Sequence, residues 1–441
     1  MKTMEQLFQS AGILVNRLTH HIDEGILDFI EAEREVVQFV NTIGHLLVSE
    51  VVEGLREPCT ENTMWVGAEN RKAVYKKTAP LRFINRFGHE VTRNRRCYQV
   101  EGERGQYSPL DERLGLDKCG GYSPLMSFLL SLFGGSEPYA QGERKIGEVC
   151  GFLVSATAVQ KNTERTGMRL EHHPLKAIPA KKQSEGCELM IVEVDGTMSP
   201  QIHQEEGICG REGLKQPTEY KECNVISIEK RFLSGERDRW VGAQYGERKF
   251  FEPYAGHCGI KMGQLSAKEV VFIADGARHN WEIQATNYPG SIGILDFYHV
   301  LEHLSEFCEL FRNSQTGKQA YAKWRSMLYE GGILQVLVEM KHACETKVTD
   351  RHEAIGHVNY FQKNKNKMQY DQYREKGYPI GSGLVEGNCK LVVNRRFKAN
   401  GMRWKRADNE AVLEVRLAIL NDTLPNYFKP KPRKFSLVSG F

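Results

Sequence analysis

An α/β domain set behind helical and small β-rich regions is the fold class that this sequence predicts, on three observations. Short apolar runs end in an acid three times: Leu189–Val194 before Asp195, Val270–Ala274 before Asp275, and Ile292–Leu295 before Asp296. Runs of that length bounded by turn residues read as buried strands. Residues 300–376 carry helical periodicity instead, with Leu301, Leu304, Phe307, Leu310 and Phe311, then Leu334, Leu337 and Val338. Finally, 40% of the 441 residues are hydrophobic and 26% are charged, which argues against a disordered, collagenous or coiled-coil chain. At roughly 100–200 residues per domain, the length suggests two to four domains.

Taken in order, residues 1–56 read as an amphipathic helical arm. Leu7, Phe8, Leu14 and Leu18 are followed by Ile26, Phe29, Ile30, Val36, Val37 and Val40, with an acidic belt from Asp23 to Glu35. Residues 57–120 form a small basic β-rich region, where Val74, Tyr75, Phe83 and Val91 interleave with Lys and Arg as in hairpins. Residues 121–175 are helical, with a break near Gly151 and Ser155 as N-cap of a helix carrying Val159, Lys161, Asn162 and Arg165. These are helix-turn-helix proportions, suited to reading DNA, and equally those of an ordinary helical hairpin. Leu175 to Gly186 reads as a polar linker. The α/β pattern occupies 186–299, with further strands at Val225–Ile228 and around Lys249–Phe251. Residues 300–376 then form a helical insertion, and 377–441 return to the domain through Gly381-Ser-Gly383 and a helix from Leu384 through Val393.

Charge is unevenly placed. The net +4 hides a segment from Gly387 to the end with 12 basic and 4 acidic residues, a local +8, and a body at −4. Lys390, Arg395, Arg396, Lys398, Arg403, Lys405 and Arg406 lie there with no acid among them. A second basic island, Arg71 to Arg96, holds nine Lys or Arg against Glu90 alone. Two such clusters point to a polyanion, hence to DNA contacts. Eleven cysteines, none closer together than Cys209 and Cys223, exclude CxxC zinc ribbons and redox pairs. No run approaches the ~20 apolar residues of a membrane helix, and Met1 to Ser10 lacks the apolar core of a leader. A cytoplasmic protein with reduced thiols and no membrane partner is expected.

The chemistry lies in Asp195, Asp275 and Glu386. A carboxylate ending a buried strand is rigidly held and half-hydrated, and keeping it charged needs a counter-ion. Three that converge would bind a hard divalent cation, Mg²⁺ being the usual choice. Two such ions can activate water and stabilise the leaving oxygen of a phosphodiester displacement. Two competing patterns are weaker. His299-Val-Leu-Glu302-His303 spells the HxxEH of zinc proteases, a spacing that arises freely on amphipathic helices. Glu193-Val-Asp195-Gly-Thr197 resembles the phosphatase DxDGT with Glu where the nucleophilic Asp belongs. Trp281 and Trp404 are either base-stacking platforms or core.

The segments VEVDGT (192–197), IADGARHNW (273–281), ILDFYHVLEHL (294–304) and YPIGSGLVEGNCK (378–390) resemble bacterial insertion-sequence transposases of the ISKra type, related to the Mutator-like DDE transposases. The likeness extends upstream to SPLDERLGL (108–116), EPYAQ (137–141) and residues 147–152. It implies an RNase-H-like catalytic domain interrupted by an all-helical insertion. Asp195, Asp275 and Glu386 would be the metal-binding triad, with Mg²⁺ as cofactor and Mn²⁺ able to substitute. Asp296-Phe-Tyr-His299 fits the acid-x-x-His that follows the second acid, which makes Asp296 and His299 auxiliary catalytic residues. The family commonly carries a cysteine zinc ribbon near the N-terminus; only isolated Cys59, Cys97 and Cys119 stand here, so no zinc is expected there. The implied activity is cleavage at transposon ends and strand transfer into target DNA. Implied partners are double-stranded DNA, as terminal inverted repeats and target, and further copies of the chain in a nucleoid-associated bacterial complex. The alternative is a catalytically inactive, transposase-derived DNA-binding protein.

Overall fold

The amphipathic arm forms two helices, α1 (Met4–Asp23) and α2 (Phe29–Gly54), in the computed structural model, which describes residues 4–67, 70–171, 186–202, 218–399, 402 and 404–429. Asp28 caps α2 by accepting from the Glu31 amide at 2.7 Å, satisfying one of its open donors. The basic region folds as a four-stranded antiparallel sheet, β1 (Thr63–Val66), β2 (Arg71–Ile84), β3 (Glu90–Val100) and β4 (Gln106–Tyr107), in sequence order. Part of its charge is engaged internally. Arg93 donates to the Val52 and Leu55 carbonyls, Arg95 pairs with Asp111, and Arg96 stacks on Tyr75 and donates to the Glu61 carbonyl.

Helices α3 (Pro109–Arg113), α4 (Pro124–Ser136), α5 (Tyr139–Cys150) and α6 (Ala156–Glu171) follow. Gly151, at φ 71°, ends α5 in the left-handed conformation that favours glycine. Ser155 caps α6 through the Ala158 amide, as its sequence suggests. Asn162 is buried, however, bonded to Ser127 and Ser131 of α4, and Arg165 donates to the Cys119 and Gly120 carbonyls. Asn162 thus joins α6 to α4, and Arg165 ties α6 to the turn at 119–120.

Clustering of contacts divides the chain into Met1–His172 with Glu414–Phe441, and His173–Leu413. The C-terminal stretch expected to complete the α/β domain is therefore shared between the units. The linker expected at 175–186 lies almost wholly outside the described residues.

The second unit is built on a five-stranded sheet: β5 (Leu189–Ile202), β6 (Thr218–Arg231), β7 (Arg237–Tyr245), β8 (Glu269–Ala274) and β9 (Ile292–Leu295), in the order β7-β6-β5-β8-β9. The first three form an antiparallel meander, and β8 and β9 run parallel to β5. Lys249–Phe251 is not a strand; it lies in helix α7 (Arg248–Lys261), and the third strand is β7. Helix α8 (Arg278–Asn287) links β8 to β9.

Residues 300–376 are helical: α9 (Phe297–Glu309), α10 (Ser314–Tyr329), α11 (Ile333–Thr346), α12 (Arg351–Asn364) and α13 (Tyr370–Glu375). Side-chain alternation splits the sheet between two cores. Leu189, Ile191, Val271, Ile273 and Ile294 pack with this helical block, while Met190, Val192, Phe272 and Ala274 pack with Phe251, Ala255 and Ile283 of α7 and α8. The chain continues as α14 (Gly383–Cys389), a π-helical turn at Lys390–Asn394 and α15 (Arg395–Phe397), then α16 (Arg406–Leu420) and α17 (Leu424–Phe428). Among the described residues, no helix is long and apolar enough to cross a membrane. The fold is mixed α/β, with sheets and many helices.

Candidate active site

Strand register places the acids. β5 and β8 pair from Leu189↔Glu269 to Glu193↔Ile273, so the same offset sets Asp195 opposite Asp275 just past the ladder. β8 and β9 pair from Val271↔Ile292 to Ala274↔Leu295, which sets Asp275 opposite Asp296. Three aspartates thus form one row across adjacent parallel strands, whose spacing is about 4.8 Å. By alternation the row belongs to the face that the helical block covers. Asp195 is not the last residue of its strand; β5 runs on to Ile202, and Asp195 lies where β8 no longer flanks it.

Glu386 reaches this row through contacts on either side of it in α14. Ser382 donates to Asp296 through its amide, at 2.7 Å, and through its hydroxyl. The Val385 amide donates to Glu193 at 2.8 Å, and the Cys389 thiol donates to Asp195 Oδ2 at 3.6 Å. The helix start is thereby tied first to the end of β9 and then to β5. The π-helical turn directly after it widens the helix that carries Glu386, a feature common at functional sites.

Electrostatics mark the acids as one cluster. Burial pushes the Asp195 carboxyl up, opposed by bonds from the Gly196 amide and Cys389, with Asp275's charge adding to the rise. Glu386 is also raised, by burial and then by Asp296, with Lys390 opposing and Asp195 and Glu302 adding. Burial raises Cys389 too, as does Asp195's charge, so the thiol stays a donor. Glu193, two residues below Asp195 on the same face, is pushed up to about 7 by burial.

The aspartates in the row are held differently. Asp275 Oδ1 accepts from the Ala277 amide at 3.0 Å and from Asn280 Nδ2 at 2.7 Å. Asn280 is buried, and its own oxygen faces Arg248 at 3.5 Å, which in turn pairs with Glu222. Asp296 is 2% exposed; Oδ1 caps α9 through the Tyr298 and His299 amides and Oδ2 is taken by Ser382. Protein donors occupy both of its oxygens, so it fixes the end of β9 to the approach of α14. His299 is half-buried and pairs with Glu302 at 3.1 Å. Tyr360 of α12 lies against the turn after Asp275, where a Cβ on Gly276 would come within 2.2 Å of its ring. Only glycine lets that ring approach.

An all-oxygen donor set fits a hard cation that keeps some of its waters. The triad does not have the mutual 4.8 Å spacing of a closed cage; among the described residues His303, Glu306 and His357 do.

The basic residues divide. Lys390, Arg395, Lys398 and Lys405 are exposed, and Lys398 donates to Thr197 at 2.7 Å, two residues past Asp195. Arg396 is fully buried with its guanidinium 4.7 Å from the centre of the Trp404 ring, which corrects its assignment as a phosphate contact. Arg403 and the side chain of Arg406 lie outside the described residues. Trp404 is itself buried, and Trp281 packs against Phe272, so both serve the core.

A scan against protein-family models and a search of curated proteins find no match. Four chains of solved structures match, among them the Drosophila P element transposase strand transfer complex, at 9% identity, covering 71% of this chain and 97% of that one, with a TM-score of 0.37. Likeness at that score carries no argument about chemistry.

Asn280, Cys389 and Tyr360 escaped the sequence reasoning, as did Glu193 except for its place in the phosphatase pattern. Three of them stand inside the segments already singled out, and that proximity was the available signal.

Proposed function

We propose that the chain is a DDE transposase with an RNase-H-like core, of the ISKra type within the Mutator-like group, that cleaves transposon ends and joins them to target DNA. The observation that carries this reading is the register row Asp195–Asp275 with Glu386 brought to it by α14. The meander of β5 to β7 followed by parallel β8 and β9, with helices 297–375 preceding Glu386, agrees with an interrupted RNase-H-like core.

Asp195, Asp275 and Glu386 are the residues that would hold Mg²⁺, or Mn²⁺ in its place. The bound ion would supply Lewis acidity and a nucleophilic water at neutral pH. The chain's own parts orient and shield. Asn280 fixes Asp275, Cys389 and the Gly196 amide fix Asp195, and Asp296 fixes the approach of α14. Exposed Lys390, Arg395, Lys398 and Lys405 would grip phosphates beside the cut, which positions DNA without reading bases. His299 would orient a phosphate or a base. Terminal inverted repeats and target DNA are the proposed partners. Further copies of the chain are needed to hold two ends together, in a nucleoid-associated complex.

The test is Asp275→Asn on plasmid DNA carrying the sequences that flank the coding region. The wild type nicks it with Mg²⁺, and the variant is slower by about 10³-fold, the scale of losing a group that stabilises transition-state charge. Equal rates would remove Asp275 from the site.

A further inference from the structure

A second cluster of ligands lies in the helical block. His303 and Glu306 are three residues apart on α9 and so share a helix face, and His357 comes from α12. One ligand atom of each lies within 4.8 Å of the other two. Glu306 Oε2 is 3.5 Å from His303 Nδ1 and 3.9 Å from His357 Nδ1. Both ring nitrogens are buried and neither has a hydrogen-bond partner. The His357 side chain is only 10% exposed. Two buried imidazole nitrogens beside one carboxylate, neither of them hydrogen-bonded, are unsatisfied polar groups that a fold tolerates poorly.

The geometry points to a transition-metal site, with zinc as the ion it would take, held by His303, Glu306 and His357. Ligands about 2.0–2.1 Å from tetrahedral zinc stand about 3.3–3.4 Å apart, and the two separations from Glu306, 3.5 and 3.9 Å, lie a few tenths of an ångström above that. Two imidazoles with one carboxylate suit zinc and not the hard cation of the aspartate row. Glu306 is 59% exposed, which leaves the fourth position to water. The site differs from the HxxEH pair, because His299 is turned to Glu302 and supplies no ligand.

Its role is to clamp two helices that flank the acid cluster. α9 begins at Asp296, which caps it, and α12 carries Tyr360, whose ring stacks on His303 with centroids 3.9 Å apart and lies against Gly276. An ion joining them holds the floor of the site without touching the reacting atoms.

Full-length protein, stripped with chelator and dialysed against zinc, is assayed for bound zinc by elemental analysis and for thermal unfolding. Wild type retains zinc and melts higher with it. His357→Ala and Glu306→Gln each retain one ion fewer per chain and lose the zinc-dependent shift, while His299→Ala and Asp275→Asn keep both. Glu306 is exposed, so its Gln variant keeps the comparison valid even where His357→Ala fails to fold. Zinc content and melting shift equal in wild type and Glu306→Gln, or no retention by wild type, would overturn the site. Asp275→Asn separates this outcome from that of the cleavage assay, since it slows cleavage and leaves zinc in place.

Discussion

Two stretches of β5, one opposite Glu229 and one at Asp195, lie beside carboxylates that are handled in opposite ways. Beside its N-terminal half, Glu229 of β6 is 4% exposed and bonded to Arg231 at 2.8 Å and Arg239 at 2.7 Å. Burial alone would raise its pKa, but the two guanidiniums more than offset this and hold it below the ordinary value. Midway along the strand the half-buried Asp195, and Glu386 of α14, are both raised, first by burial and then by the charges of Asp275 and Asp296, with Arg248 and Lys390 as partial counterweights. The fold supplies cations where a carboxylate serves structure and leaves a deficit where the acids converge.

The same chemical change should therefore act with opposite sign at the two positions. Glu229→Gln strands two arginines that remain partly solvated, so unfolding in urea should show a loss of about 1–3 kcal/mol at neutral pH. Because the folded pKa of Glu229 lies below its ordinary 4.5, its contribution is present above that value and fades as pH falls through the folded one. The wild type should lose that part of its stability on acidification, and the Gln variant should not. Asn280→Ala is next. It leaves Asp275 without its amide partner and should weaken divalent-ion affinity by about 10–100-fold, measured by calorimetry, with urea stability little changed. Asp195→Asn removes a repelling charge and should raise the stability of metal-free protein by about 0.5–1 kcal/mol, while abolishing stabilisation by Mg²⁺. Smallest is Lys390→Ala, which should leave stability unchanged and lower the salt dependence of DNA binding by about one unit of log–log slope. A loss of stability from Asp195→Asn as large as that from Glu229→Gln would erase the contrast.

The parts of this design that lie along the chain were legible in its sequence. Apolar runs revealed β5, β8 and β9, and the acid after each of the latter two marks a strand end. β7 was missed because Arg237, Asp238 and Arg239 make an edge strand read as polar, and the apolar pair Phe250-Phe251 beyond it belongs to a helix. The register row was implicit in the 80-residue spacing of Asp195 and Asp275, but only pairing gives that spacing meaning. Glu193 and Cys389 act across about 190 residues of chain, and no local pattern encodes such bonds. Charge was the least reliable guide. Arg93, Arg95 and Arg96 counted toward a basic island and turn out to tie strands and helices together, and Arg396 lies in the core.

Counting Mn²⁺ bound to zinc-saturated protein by electron paramagnetic resonance tests the acid cluster most directly. Wild type should bind Mn²⁺ that Mg²⁺ displaces, and Asp195→Asn combined with Asp275→Asn should lose that binding with its fold intact. Mg²⁺-displaceable Mn²⁺ at equal occupancy in the wild type and the double variant would contradict the account.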